Sequence, residues 1–161
     1  MVDDPAPWQD ELLRTAARLE ARTKQKRWTE RTGYLTEREF VVGAYAMRKL
    51  VESGEVPTEP GQRHIPVRRF EPTGRRPLSL DDIADCYDFD NGRRKMLSLA
   101  ELCHEILHSV VFTFCWGETD DLFDGIYVSS DRARNESLYL VLASDFIALC
   151  SDIGTGAAQP R

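Results

Sequence analysis

Apolar residues recur every three or four positions from Trp8 to near Thr29. Trp8, Leu12, Leu13, Ala16, Ala17 and Leu19 fall on one side and Arg14, Arg18 and Arg22 on the other, which predicts an amphipathic helix. A second helix is predicted from Thr36, where T-x-x-E with Glu39 has the form of a capping box. Its Phe40, Val41, Ala44, Tyr45 and Leu50 keep helical spacing until Ser53 and Gly54 stop it. The connection is short, so the two elements of 8–54 are expected to pack as an antiparallel pair.

Between Glu55 and Leu78 the pattern is broken by prolines at 57, 60, 66, 72 and 77, with RHIPVRRF among them. Proline removes a backbone donor and is confined to strand edges, so this stretch reads as an extended basic arm or edge strand. A short helix is expected at Ser79–Asp85. In DCYDFDNGRRKML, Asn91-Gly92 is a turn signal between two stretches of strand character, so a hairpin is expected there. The same stretch superficially resembles a calcium loop, but its glycine comes one position early and the closing glutamate is missing, which excludes it.

The last third opens on Ser98 and Glu101, another S-x-x-E box, so a helix should begin at Leu99. VVFTFCW then alternates, with Val110, Phe112, Phe114 and Trp116 on one side, and reads as a strand. GETDDLFDG is an acidic loop and GIYVSS a second strand. NESLYLVLASDFIALCSDIG admits two readings: a strand at LYLVL followed by a helix starting at Ser144, or one helix capped by Asn135. The first is preferred because Ser144 and Asp145 restart the helical signal midway. Residues 155–161 read as a frayed tail. The expected class is α+β: an N-terminal antiparallel helix pair, a proline-rich basic arm with a hairpin (55–97), then a helix, a small antiparallel sheet and a C-terminal helix (98–154).

Composition narrows this picture. At 161 residues and 42% hydrophobic content the chain can bury one core but is short for two, so one domain spanning 1–161 is expected. It lacks a run of about 18 apolar residues and a basic-then-apolar leader, so a soluble, cytoplasmic protein with no membrane partner is expected. Cys86, Cys103, Cys115 and Cys150 are scattered, without a C-x-x-C pair, and read as reduced thiols packed like small apolar residues. Net charge is −6 but uneven: Arg14–Arg76 holds 15 Lys and Arg against 8 Asp and Glu, whereas Glu101 onward holds 3 against 10. Such a split suits a polyanion-binding face, a self-association surface, or simply two solvated faces.

One motif carries specific chemistry. In LSLAELCHEILHSVV, the residues His104, Glu105 and His108 make H-E-x-x-H on the predicted helix. Leu99, Leu102, Cys103, Ile106, Leu107, Val110 and Val111 form its apolar side, and both histidines share the polar side with Glu101 and Glu105. Imidazoles one turn apart can ligate one zinc while the intervening glutamate reaches the metal-bound water as general base. The motif resembles the zincin metallohydrolases. That resemblance implies His104 and His108 as zinc ligands and Glu105 as the base, and it rests on these five residues alone. A third ligand is required. His64 lies upstream in the arm, and the longer three-histidine form is absent because Ser109 follows directly. Glu136 in NES is the first candidate, with Glu118, Asp120, Asp121, Asp124 and Cys115 behind it. Without a metal, the same two histidines flanked by glutamates make an ordinary half-exposed helix face.

The reading favoured from sequence is therefore a binding or accessory module, with the zinc-dependent hydrolase as the alternative. Lys24, Lys26, Arg27, Arg68, Arg69, Arg75 and Arg76 are the candidate contacts to a protein partner or to nucleic-acid phosphates, with Trp28 or Phe70 for stacking. An overall pI near 5.1 weighs against nucleic acid. A protein partner or a second copy could instead be met through opposite-charge faces.

Overall fold

The computed structural model describes residues 4–56, 63–75, 83–119, 121–130 and 137–156. Among these residues it is an α+β arrangement of four helices and one five-stranded antiparallel sheet. Helix α1 runs Ala6–Thr23 and α2 runs Glu30–Glu52. Two helices form as expected, but α1 ends at Thr23, short of the expected Thr29, and α2 starts six residues before Thr36. Its cap is Thr29, whose side chain accepts from the Thr32 N–H at 3.1 Å. Thr36 and Glu39 sit inside α2, with the Thr36 hydroxyl donating to the Thr32 carbonyl. Thr32 and Thr36 are both buried in the longer helix. Gly54, at φ +82°, turns the chain out of α2 in a conformation that suits glycine.

The arm enters the sheet as β1 (His64–Phe70), and β2 (Arg93–Ser98) pairs with it antiparallel, Val67 opposite Lys95. Far from being an edge, β1 is internal: Arg68, Arg69 and Phe70 also pair with β5 (Leu138–Leu142). Pro66 is tolerated because the pairing with β5 does not reach it, leaving that side of the strand without a ladder. The expected turn at Asn91-Gly92 does not close a hairpin. Asn91 ends a single 3₁₀ turn, Phe89–Asn91, where its side chain donates to Asp88, and β2 begins directly after Gly92. The helix expected at Ser79–Asp85 lies partly outside the described residues, and its described end is a turn in which the Cys86 N–H donates to the Ile83 carbonyl.

Helix α3 (Leu99–Leu107) passes into β3 (Ser109–Trp116), which pairs with β4 (Phe123–Ser130). The terminal segment is strand then helix, β5 followed by α4 (Ala143–Gly154), which removes the single-helix reading. Helix α4 begins at Ala143 without a side-chain cap, so Ser144 is not its cap. Sheet order is β2-β1-β5-β4-β3, which leaves β2 and β3 as the two edges.

All four helices lie on one face of the sheet. Leu12, Leu19, Phe40, Met47, Leu102, Ile106 and Phe146 meet Ile65, Val67, Ile126, Val128 and Val141 in the main core. The opposite face carries Phe70, Val111 and Leu138 and is covered by Ile83, Cys86, Tyr87 and Phe89. At Gly125 a Cβ would run into the Val141 carbonyl oxygen, so only glycine lets β4 and β5 approach as they do. No helix among the described residues is long and apolar enough to cross a membrane.

Candidate functional site

The histidine helix starts where its sequence says. Ser98 Oγ accepts from the Glu101 N–H at 3.1 Å and Glu101 Oε1 accepts from the Ser98 N–H at 3.3 Å, a complete capping box. What differs is its length and rotation. Val110 and Val111 belong to β3, and Leu107 is only half-buried. Removing these three from the apolar set turns the centre of the buried arc by about 40°, toward Glu105.

Glu105 is accordingly buried, 8% exposed, and not part of the polar face. Its Oε2 accepts a hydrogen bond from the Ser130 N–H at 2.8 Å. A strand end buried beneath a helix needs partners for its amides, and this carboxylate supplies one at the end of β4. The expected general base is thus committed to the fold.

His104 and His108 do stay together, with ring centroids 4.8 Å apart and planes 37° from parallel. His108 is exposed and caps the C-terminus of α3, its N–H donating to the His104 carbonyl. His104 is half-buried, and its Nε2 is sealed from solvent with no hydrogen-bond partner. Both line a cleft of about 330 Å³ between α2 and α3, shared with Arg48, Glu52, Cys103 and Leu107. The carboxylate in this cleft, Glu52, is engaged by Arg48 at 3.2 Å and by Lys49 at 3.6 Å. Burial pushes the Cys103 thiol up to about 12, so it is not a ready thiolate.

No three His, Cys, Asp or Glu side chains among the described residues are gathered as a metal centre. Glu136 and Asp120 lie outside the described residues. Glu118, Asp121 and Asp124 follow β3 at its far end, and eight residues of strand put about 27 Å between the two ends. Cys115 is near that end too, against the Tyr127 hydroxyl at 3.7 Å.

The basic candidates do not form one surface. Lys24 ends α1 and pairs with Glu20, and Lys26 and Arg27 are exposed on the way to α2 in the helical layer. Arg68 leaves the opposite face of the sheet, with Phe70, and donates to the Gly92 carbonyl. Arg69 donates to Ser137 Oγ and pairs with Glu71. Arg75 is exposed beyond the strand, and Arg76 lies outside the described residues. Phe70 is buried and has no face free for a base. Trp28 is half-buried, its ring held edge-on to Phe114 at 5.2 Å and to Trp116 at 4.9 Å.

That aromatic group belongs to a feature that was not singled out as a site from the sequence, the free edge of β3. Along SVVFTFCW there is no charged residue and no proline, and Trp116 is 41% exposed. Among the described residues nothing hydrogen-bonds to this edge from outside the sheet. The other edge, β2, carries Arg93, Arg94 and Lys95, which discourage pairing. The signal available in sequence was this contrast between two strands, but it means something only once both are known to be edges. No family model matches the chain, and comparison with curated proteins and with solved structures returned no match.

Proposed function

We propose that this chain is a protein-binding module whose docking element is the open edge of β3, which takes up an extended segment of a partner by strand addition. The observation that carries this reading is the uncharged eight-residue edge, unpaired among the described residues, set against a charged edge on the other side of the same sheet. Main-chain donors and acceptors along β3 supply the ladder, and the Trp28, Phe114 and Trp116 rings give apolar contact at one end. The zinc-hydrolase alternative is not preferred, because the Glu105 carboxylate accepts from the Ser130 amide and, among the described residues, no third ligand joins His104 and His108.

A selection of random ten-residue peptides on the immobilised full chain tests this. Selected peptides should be extended and apolar in alternation, and should slow hydrogen exchange of the β3 amides. Thr113→Lys, a charge placed on the edge strand, should abolish their binding. Peptides that protect another element instead, or whose binding survives Thr113→Lys, would sink the reading.

A further inference from the structure

The β3 edge has a specific occupant in reach. We infer that it pairs with the β3 edge of a second copy of this chain, antiparallel about a two-fold axis, extending the sheet from five strands to ten. This rests on the docking role proposed for β3 and names the partner for it.

Three observations favour a second copy over an unrelated strand. First, the strand is self-compatible: Ser109–Trp116 carries no charge, so no like charges are set opposite one another when it meets itself. The same operation on β2 would bring Arg93, Arg94 and Lys95 against their own copies. Second, the middle of the strand is regular: Val111–Cys115 runs in continuous register with β4, between irregularities at Ser109/Val111 and Cys115/Trp116. Thr113 lies at the middle of the run, on the sheet face away from the helices and opposite Tyr127 of β4. A two-fold axis near it pairs the central residues with each other, as a two-fold interface requires.

Third, the charges at the two ends are complementary. The Trp116 end of β3 leads into the acidic loop with Glu118, Asp121 and Asp124, all exposed. The Ser109 end follows His108, beside the cleft that holds His104 and Arg48, where Arg48 and Lys49 share one carboxylate, Glu52, and leave one positive charge over. Antiparallel pairing keeps the two acidic loops about 27 Å apart and sets each beside the other copy's Arg48 and His108 end. Parallel pairing would press acid against acid. The His104 and His108 cleft therefore acquires a role that needs no metal: it receives the partner's acidic loop.

Light scattering on the eluting full chain, loaded from about 1 to 200 μM, reads the outcome. The expected mass is twice the 18.4 kDa of the chain, with the β3 amides protected from exchange in the dimer. Thr113→Lys should raise the dissociation constant by about tenfold or more, because the two new charges face each other across the axis. Glu118→Lys, on an exposed loop that cannot threaten the core, should also weaken the dimer, and Arg48→Glu added to it should restore part of the loss. A dimer unchanged by both Thr113→Lys and Glu118→Lys would overturn the inference. So would a monomer at every concentration, and the exchange data then separate the two claims. Fast-exchanging β3 amides in that monomer would leave the edge free for another chain, whereas protected ones would sink the docking role as well.

Discussion

Replacing Glu105 by alanine discriminates a carboxylate that holds the fold from one that awaits a substrate. In the structure its Oε2 accepts from the Ser130 N–H at 2.8 Å, and the residue is only 8% exposed. Truncation removes a hydrogen bond to a charged acceptor, worth about 1.5–3 kcal/mol, and leaves a space that water does not easily refill. An expected loss of about 2–3 kcal/mol corresponds, for a chain of this size, to a fall in Tm of about 5–10 °C. Glu105→Gln keeps an oxygen able to accept from the same amide, so it should cost less than about 1.5 kcal/mol. Urea unfolding of the three proteins, with amide exchange at Ser130 as the local readout, makes the measurement. Hydrogen exchange at Ser130 should accelerate in the alanine variant and stay close to normal in the glutamine one. A Glu105→Ala protein within about 0.5 kcal/mol of the parent would refute the structural role, since positions free of such contacts behave that way.

The other expectations are brief. Ser98→Ala breaks the capping box of α3 and should cost about 1 kcal/mol in urea unfolding; no change would mean the box contributes nothing to stability. Gly125→Ala forces a methyl group onto the Val141 carbonyl and should cost more than about 2 kcal/mol, with β4 and β5 amides exchanging faster; unchanged exchange would show that the strands can part cheaply. Stability should fall as pH rises above 9. Burial pushes the Cys103 thiol up to about 12 and raises Cys150, and burial with the Cys115 contact pushes Tyr127 up to about 12. The unfolded chain ionises these groups first, so their contribution is intact below pH 9 and is lost toward pH 12. Cys103→Ala should flatten that decline, and a urea midpoint constant to pH 10.5 would contradict it. Elemental analysis of protein purified without added metal should find well under one zinc per chain. A stoichiometric zinc that disappears with His104→Ala and His108→Ala would restore the hydrolase reading.

The elements legible in the sequence were those with a local signal. The Ser98 box, the alternation of VVFTFCW and the restart after LYLVL are short-range facts, and α3, β3, β5 and α4 follow them. Legibility failed where the deciding contact was distant. Pro66 marked β1 as an edge, yet β5 pairs along only part of β1 and leaves the proline its room. Thr36 and Glu39 have the form of a capping box, yet the helix starts at Glu30 with Thr29 as its cap, a position without that box. Glu105 shares a side with His104 and His108 only on a helix long enough to include Val110 and Val111, and those two belong to β3. The amide of Ser130, 25 positions on, then claimed it.

The charge split along the chain also changes meaning in three dimensions. Read in one dimension, the basic first half was a single candidate surface, but α1 and β1 lie in different layers, and the arginines of 68–75 do not join the lysines of 24–26. Arg68 stands opposite Arg94 and Arg69 opposite Arg93 across the β1–β2 pair, an arrangement that costs stability in a sheet. One effect of that cost is on the β2 edge, where the same arginines keep other strands away. The acidic second half is likewise not a patch, since Glu105 is internal while Glu118, Asp121 and Asp124 gather at one end of β3. Charge thus bars one edge of the sheet and brackets the other, leaving between its brackets the one long strand that nothing among the described residues covers. A sheet with one guarded and one open edge has a preferred direction of growth, and the docking role proposed for β3 places its partner on that open side.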